Sequence, residues 1–419
     1  MPKPAPPAPP DLPLAPRRYA GLMQTFGHPD VIVVGAGVIG CSVAWHLATL
    51  GARHVLVLDR GQVGNGTSAM SSGILRTHYS VPENVELARR SWRFFERFAE
   101  ELGDDEASAG LVTCGYLIAA PAGDKLEPLR QALAAQTARG ITVQLLDAQE
   151  AEEKLPIARF DDAALIGYEP EAGFADATLT ATSFARAARR LGVRFREGVA
   201  VTGLAVEGGR VVGVHTAEGR IDAAVVVSAQ NIWAGELATW AGLTVPLVAE
   251  RHRVLALAGP APYTREMPVF KDLGSPGMLY GRSYGGTQML VSEGTAGEVL
   301  ASPDTTQGEV SMDLVAEIGA QVAARFPGWD EAALASSWTG VYDVTPDWNP
   351  VLGPVPGLAG LVVGFGFSGH GFKLSPAVGR VLAQAALGLP TDVPLAPYAF
   401  ERFAQGRLLS GRYGAGAVS

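Results

Sequence analysis

The stretch that leaves this chain least freedom runs from Asp30 to Arg60, DVIVVGAGVIGCSVAWHLATLGARHVLVLDR. Val31 to Val34 is an apolar, β-branched run too short to cross a membrane, which reads as a buried parallel strand. Gly35, Gly37 and Gly40 follow at GxGxxG spacing, helix-forming residues continue to Leu50, and Gly51 stands where a C-terminal cap belongs. A second apolar strand, Val55 to Leu58, ends on Asp59. Gly35 permits the tight turn, Gly37 lets a pyrophosphate approach the backbone, and Gly40 lets helix and strand pack closely. Ala36, Val38 and Ile39 bring backbone N–H groups and the partial positive charge of the helix start to the phosphates. Asp59, with Arg60 beside it, is placed to accept hydrogen bonds from a ribose. An acid at 59 in place of an arginine disfavours a 2′-phosphate. The unit predicts an adenine dinucleotide and leaves NAD and FAD both open.

A length of 419 residues predicts two domains or a little more. With 47% hydrophobic and 18% charged residues the chain can bury a sizeable core. The net charge of -9 and the lack of a basic block argue against nucleic acid. Cys41 and Cys114, the only cysteines, are too few for a disulfide framework, no His or Cys cluster has metal-ligand spacing, and a reducing cytoplasm is expected. Residues 1–16 hold eight prolines, a composition that favours extended conformations and cannot pack a core. No apolar h-region of a signal peptide and no run of 18 apolar residues stands out, so no membrane span is expected. The end of the chain, from Leu409, is expected to fray.

After Asp59 a glycine- and hydroxyl-rich loop carries Thr67, Ser68, Ser71, Ser72 and Gly73, donors suited to covering a cofactor. Glu83 to Leu102 predicts an amphipathic helix with Leu87, Trp92, Phe95 and Phe98 inward. Strands are expected at Leu111–Ala120, Val193–Arg196, Ala200–Val206, Val211–Thr216 and Ala223–Ala229, with Gly208 and Gly209 turning a hairpin. Helices are expected near 125–138, 148–154, 175–191 and 312–326, Asp176 sitting favourably at the start of one. Leu243–Ala258 and Met278–Glu293 alternate as antiparallel strands. Near the end come a buried strand, Leu361–Gly364, the loop GFGFSGHGFK, and a helix predicted to start with Ser375 as N-cap and Pro376 first, with Gly388 past its end.

The opening unit, GFADATLTATSFARAARRLGVRFREGVAVTGLAV, GRIDAAVVVSA and WTGVYDVTPDWNPVLGPVPGLAGLVVGFGFSGHGFKLSPAVGRVLA occur in that order. Together they resemble the FAD-dependent D-amino-acid oxidase superfamily, in its sarcosine oxidase, glycine oxidase and dimethylglycine dehydrogenase branch, over about Asp30 to Gly388. TPD followed by GFSGHGFK is the most specific piece. The resemblance implies an α/β fold: a discontinuous Rossmann-like FAD-binding domain over 29–85, 171–235 and 336–390. An α+β substrate domain built on an antiparallel sheet is inserted over 86–170 and 236–335, between tails at 1–28 and 391–419. It implies noncovalent FAD and oxidation of a small amino-acid or amine substrate. Val201 matches the valine whose backbone meets adenine. Ala229, Gly366, Ser368, Gly369, His370, Gly371 and Phe372 fall in cofactor-contacting segments, His370 as a backbone contact and not a base. Arg76 and Lys373 match a clamp on the substrate carboxylate, and Tyr280 a pocket wall.

Departures from the family also bear on function. Gly340 stands where sarcosine oxidase has the cysteine that attaches its flavin. No lysine lies within Gln288–Val291, where the family places one credited with activating oxygen. Ser228, Ala229 and Gln230 replace an AAG. Three functions follow: an FAD enzyme moving hydride from the α-carbon of a carboxylate-bearing amine to flavin N5, with hydrolysis of the imine; a flavin-bearing subunit passing electrons to a protein partner in place of oxygen; and an NAD-linked dehydrogenase, supported by the opening motif alone.

Overall fold

The computed structural model describes residues 29–79, 81–409 and 411. The proline-rich segment and the last eight residues of the expected tail lie outside them.

The opening motif forms the strand Val31–Val34, the helix Val38–Thr49 and the strand Val55–Asp59. These strands join Arg194–Glu197, Val225–Ser228 and Leu361–Phe365 in a parallel sheet, edged by the antiparallel strand Val351–Pro354. Val31 faces Val225 on one side and Val55 on the other. Alternation decides what each face meets. Val31, Val33, Val55 and Val57 pack into one core with the helices Val38–Thr49, Ala177–Arg190 and Gly371–Ala386. Ile32, Val34, Leu56 and Leu58 pack into another, against the antiparallel strands Val201–Glu207, Arg210–Thr216 and Gly219–Asp222. Both faces are covered, which is why these strands are unbroken apolar runs.

A second, nine-stranded mixed sheet supplies the rest of the frame. Its longest pair joins Val248–Ala258 to Ala333–Val344. The hairpin Tyr280–Tyr284 and Gln288–Ser292 turns at Gly285 and Gly286. The expected α/β frame, with a second sheet bearing antiparallel strands, is what the chain forms. No helix among the described residues is long and apolar enough to cross a membrane.

Three local expectations change. The helix expected over 83–102 breaks at Arg97 into Pro82–Glu96 and Phe98–Leu102, although Leu87, Trp92, Phe95 and Phe98 are all buried. The strand at 111–120 divides at Gly115 into Val112–Thr113 and Tyr116–Pro121. The closing helix starts at Gly371 with His370 at its N-cap, so Pro376 lies inside it and Ser375 is not the cap. An internal proline removes one backbone hydrogen bond. At this point the helix is tied to its neighbours: Ser91 Oγ accepts from Ala377 N at 3.2 Å, and His46 Nε2 lies 3.0 Å from Pro376 O.

Over residues 391–409 the chain is anchored. Tyr398 is fully buried, and the Arg402 guanidinium donates to both Asp347 oxygens at 2.8 and 2.9 Å. That pair holds the Thr345–Asn349 turn, which contains the TPD motif.

Candidate cofactor and substrate site

Two clefts of about 850 and 840 Å³ share Gly37, Thr67, Ser68, Ala229 and Asn231 as walls, so they form one continuous groove. The first cleft is built by the opening motif. Gly35 adopts φ +104°, and a Cβ there would lie 2.5 Å from Ala229 O. A Cβ on Gly40 would collide with Gly35 O, so the helix can approach the turn only without a side chain there. Gly37 meets nothing closer than Ser68 Oγ at 3.3 Å and leaves its side of the groove open. Asp59 is braced at the strand end by Ala36 N and Gly61 N, each at 2.6 Å. Gly35, Asp59, Arg60, Thr67, Ser68, Val201 and Ala229 all line this cleft. Arg60, however, engages Glu236 at 3.1 Å and stacks on Trp233 at 4.8 Å, so its guanidinium shapes the rim. Ala36 N is turned to Asp59, leaving Ala36 a bracing part rather than a wall. Gln230, in the departure from AAG, bonds to Ser228 and Glu236.

The second cleft runs from Val38, Ile39 and Ser72 to Gly369, Gly371 and Phe372 and is roofed by Tyr280, Tyr342 and His252 from the nine-stranded sheet. The late loop is held from below: Asp343 accepts from Gly366 N at 2.6 Å, and Ser368 N donates to Asp343 O at 3.1 Å. Burial raises the Asp343 carboxyl to about 6. A Cβ at Gly369 would lie 2.7 Å from the Tyr342 ring, which therefore covers that loop. Gly340 is a bare wall position, and neither cysteine lines the groove; both are buried and unpaired.

Arg76 and Lys373, expected as a clamp, are both buried. The Arg76 guanidinium donates to His78 O and lies 5.1 Å from the Tyr79 ring and 5.7 Å from that of Tyr116. His370 Nδ1 meets Tyr79 OH at 3.1 Å, which ties Arg76 to the loop carrying Lys373. Lys373 Nζ lies 3.4 Å from Gly369 O. Burial first, and the nearby Arg76 second, hold the Lys373 ammonium well below its usual range. The same influences, with Lys373 added, act on His370. Tyr280 OH lies 3.2 Å from Tyr342 OH. Gly73 stands behind the groove against Ala175, with a Cβ-excluding contact to Ala175 O. His46 is buried in the helix layer, as expected of a structural residue, and burial lowers it to about 3. His78 lies 2.8 Å from Gln136 and is likewise lowered by burial to about 3, so it stays neutral.

Several residues here had not been singled out. Tyr342 and His252 stack at 4.0 Å over the groove. Glu169 accepts from Thr77 N at 2.7 Å, and burial lifts it to about 7. Lys271 is buried at 5% exposure and depressed by burial to about 7. The available signal was weak: a charge interrupting an apolar strand, in VFKD and in LIGYE. Among the described residues no His, Cys, Asp and Glu cluster could hold a metal.

A parallel sheet covered on both faces, a glycine turn backed by an acid-tipped strand, and a groove that continues under a second sheet are the features of a dinucleotide-dependent oxidoreductase. Residues 30–385 match the FAD dependent oxidoreductase family, DAO, and the chain belongs to it. It is 29% identical over 403 residues to the sarcosine oxidase subunit beta of an Arthrobacter species, covering 93% of this chain and 94% of that one. The structure of glycine oxidase from Geobacillus kaustophilus superposes with a TM-score of 0.77 at 27% identity, over 89% of this chain and 98% of the other. L-proline dehydrogenase from P. horikoshii superposes with a TM-score of 0.83 over 91% of this chain and 99% of that one; at 24% identity that likeness is one of fold. The cofactor is FAD, as the groove fits, and the NAD reading falls. With Gly340 at the attachment position, FAD is bound noncovalently.

Proposed function

We propose that this chain oxidises the C–N bond of a small amino acid or N-methyl amino acid of the sarcosine, glycine or proline kind. Bound FAD supplies the hydride acceptor at flavin N5, and the imine product hydrolyses. The chain's residues bind, orient and exclude water. Arg76 is the carboxylate anchor, since a guanidinium can grip a carboxylate bidentately. Lys373 adds a point charge from the first turn of the closing helix. Tyr280, with Tyr342, forms the wall opposite. The segments 29–85, 171–235 and 336–390 take the cofactor, and 86–170 with 236–335 take the substrate. The observation that carries this reading is the burial of Arg76 and Lys373 close enough for Arg76 to disfavour the charged form of Lys373, with Phe372, next to Lys373, lining the second cleft. Such a pair is costly to bury unless an anion joins it. The names of the relatives, a sarcosine oxidase subunit and a glycine oxidase, support the same substrate class.

A second reading concerns the electron acceptor. The stretch Gln288–Val291 carries no lysine, and one relative is a subunit, which favours a protein partner over oxygen. Two buried, unpaired cysteines suit a reducing cytoplasm. The test is anaerobic mixing of the purified holoprotein with sarcosine, glycine, proline, dimethylglycine and D-amino acids, followed by air. Bleaching of the flavin by at least one of these is expected. No bleaching by any would refute the reading. Rapid reoxidation with peroxide indicates an oxidase, and slow reoxidation a dehydrogenase or subunit.

A further inference from the structure

Lys271 lies in the four-residue strand Val269–Asp272, opposite Ile118 on one side and Tyr280 on the other. Residues opposite one another in a sheet share a face, so Lys271 points the same way as Tyr280. Its ammonium is 5.4 Å from the Tyr280 ring centroid. It reaches over the end of the next strand into room left by Gly294, where a Cβ would collide with it.

Among the described residues Asp272 is the one carboxylate that favours the charged form of Lys271, and it forms no ion pair with it. Asp272, its neighbour in sequence, faces the other way and is held by Arg325 at 3.0 Å. Among the described residues no carboxylate forms an ion pair with Lys271. Besides Asp272, the charge that acts on it is that of Arg76, which is charged alike; Lys271 in turn acts on the neutral His78, and Arg76 on Glu169. A buried ammonium without a partner is costly, and here a second cation adds to the cost. The FAD diphosphate does not relieve it, because the glycine turn that receives phosphates is in the other cleft. A single substrate carboxylate is already matched by Arg76 and Lys373 in the function proposed above, on which this step rests.

We infer that Lys271 receives a second anionic group of the substrate, so that the preferred substrate is a secondary amine bearing two carboxylates. One carboxylate is held by Arg76 and Lys373. The other lies against the nine-stranded sheet, on the ammonium of Lys271 beside Tyr280. Iminodiacetate, N-methylaspartate and N-methylglutamate are probes of this class, and sarcosine is the one-carboxylate reference.

The test is binding to the oxidised holoprotein, followed as the change in the flavin spectrum, so that it does not depend on turnover. Acetate is compared with malonate, succinate and glutarate in the wild type and in Lys271→Met, Lys271→Gln and Lys271→Arg. A charge-assisted contact implies that the best dicarboxylate binds about 10- to 100-fold tighter than acetate. Lys271→Met and Lys271→Gln should cut that ratio at least tenfold, and Lys271→Arg should restore part of it. The same ratio is then read from anaerobic flavin reduction by iminodiacetate, N-methylaspartate, N-methylglutamate and sarcosine. Equal binding of acetate and every dicarboxylate in the wild type would overturn the inference. So would a ratio unchanged by Lys271→Met, including the case where that variant alters only reoxidation by air. If dicarboxylates bind selectively but no amine bleaches the flavin, the proposed reaction fails and the anion site stands. If sarcosine bleaches it and dicarboxylates show no advantage, the site fails and the reaction stands.

Discussion

Replacing Gly35 by alanine tests whether the glycine turn is built as tightly as the groove requires. Two costs are expected. Alanine at a left-handed φ costs about 1–2 kcal/mol, and φ here is +104°. The new Cβ would also stand 2.5 Å from Ala229 O, a backbone atom that cannot swing aside, and forced repacking costs about 1–3 kcal/mol more. Gly285 separates the two terms. It also has a positive φ, +58°, but a Cβ there meets nothing within 4 Å. Gly285→Ala should therefore show the conformational cost alone. The collision in Gly35→Ala displaces the turn proposed to hold the pyrophosphate, so FAD affinity should fall about 5- to 150-fold. Both variants are purified, stripped of FAD and titrated with it, with thermal unfolding measured in parallel. If Gly35→Ala binds FAD as tightly as Gly285→Ala and melts no lower, the close approach of turn and strand is not what the cofactor depends on.

Arg402→Met should destabilise by about 3–5 kcal/mol, because it leaves the Asp347 carboxylate buried and unpaired; an unchanged unfolding midpoint would mean the C-terminal segment is not an anchor. Arg76→Ala should retain flavin and lose about 10- to 150-fold in affinity for carboxylate substrates, and unchanged affinity removes Arg76 from the clamp. Burial raises the Glu169 carboxyl from 4.5 to about 7, so the fold favours its protonated form. The stability this contributes is full below pH 4.5 and is lost as pH rises through 7, a swing of about 3 kcal/mol at most. Denaturant melts should therefore show Glu169→Gln gaining on the wild type between pH 4.5 and 7.5, and a constant gap would contradict the burial.

The opening motif was legible because its signals are local. A short β-branched run, three glycines at fixed spacing and an acid at a strand end each act within about thirty residues. The hairpin at Gly208 and Gly209 was legible for the same reason. The start of the closing helix differs from the expectation because Ser375 and Pro376 mimic a start signal, while the contacts around the proline, from Ser91 and His46, come from helices distant in sequence. Lys271 and Glu169 were invisible for a related reason. Their neighbourhood with Arg76 arises from the order of strands in the nine-stranded sheet, where Tyr116 lies opposite Glu169 and Lys271 opposite Tyr280. Alternation tells which residues share a face, but not which strand comes next.

The central proposal is that the buried Arg76 and Lys373 anchor the substrate carboxylate. It is tested most directly by anaerobic mixing with matched amines that differ only in the carboxylate, such as sarcosine against dimethylamine. Flavin bleaching by the carboxylate-bearing amine, with none by its counterpart at the same concentration, is the predicted result. Equal bleaching by both would contradict the roles given to Arg76 and Lys373.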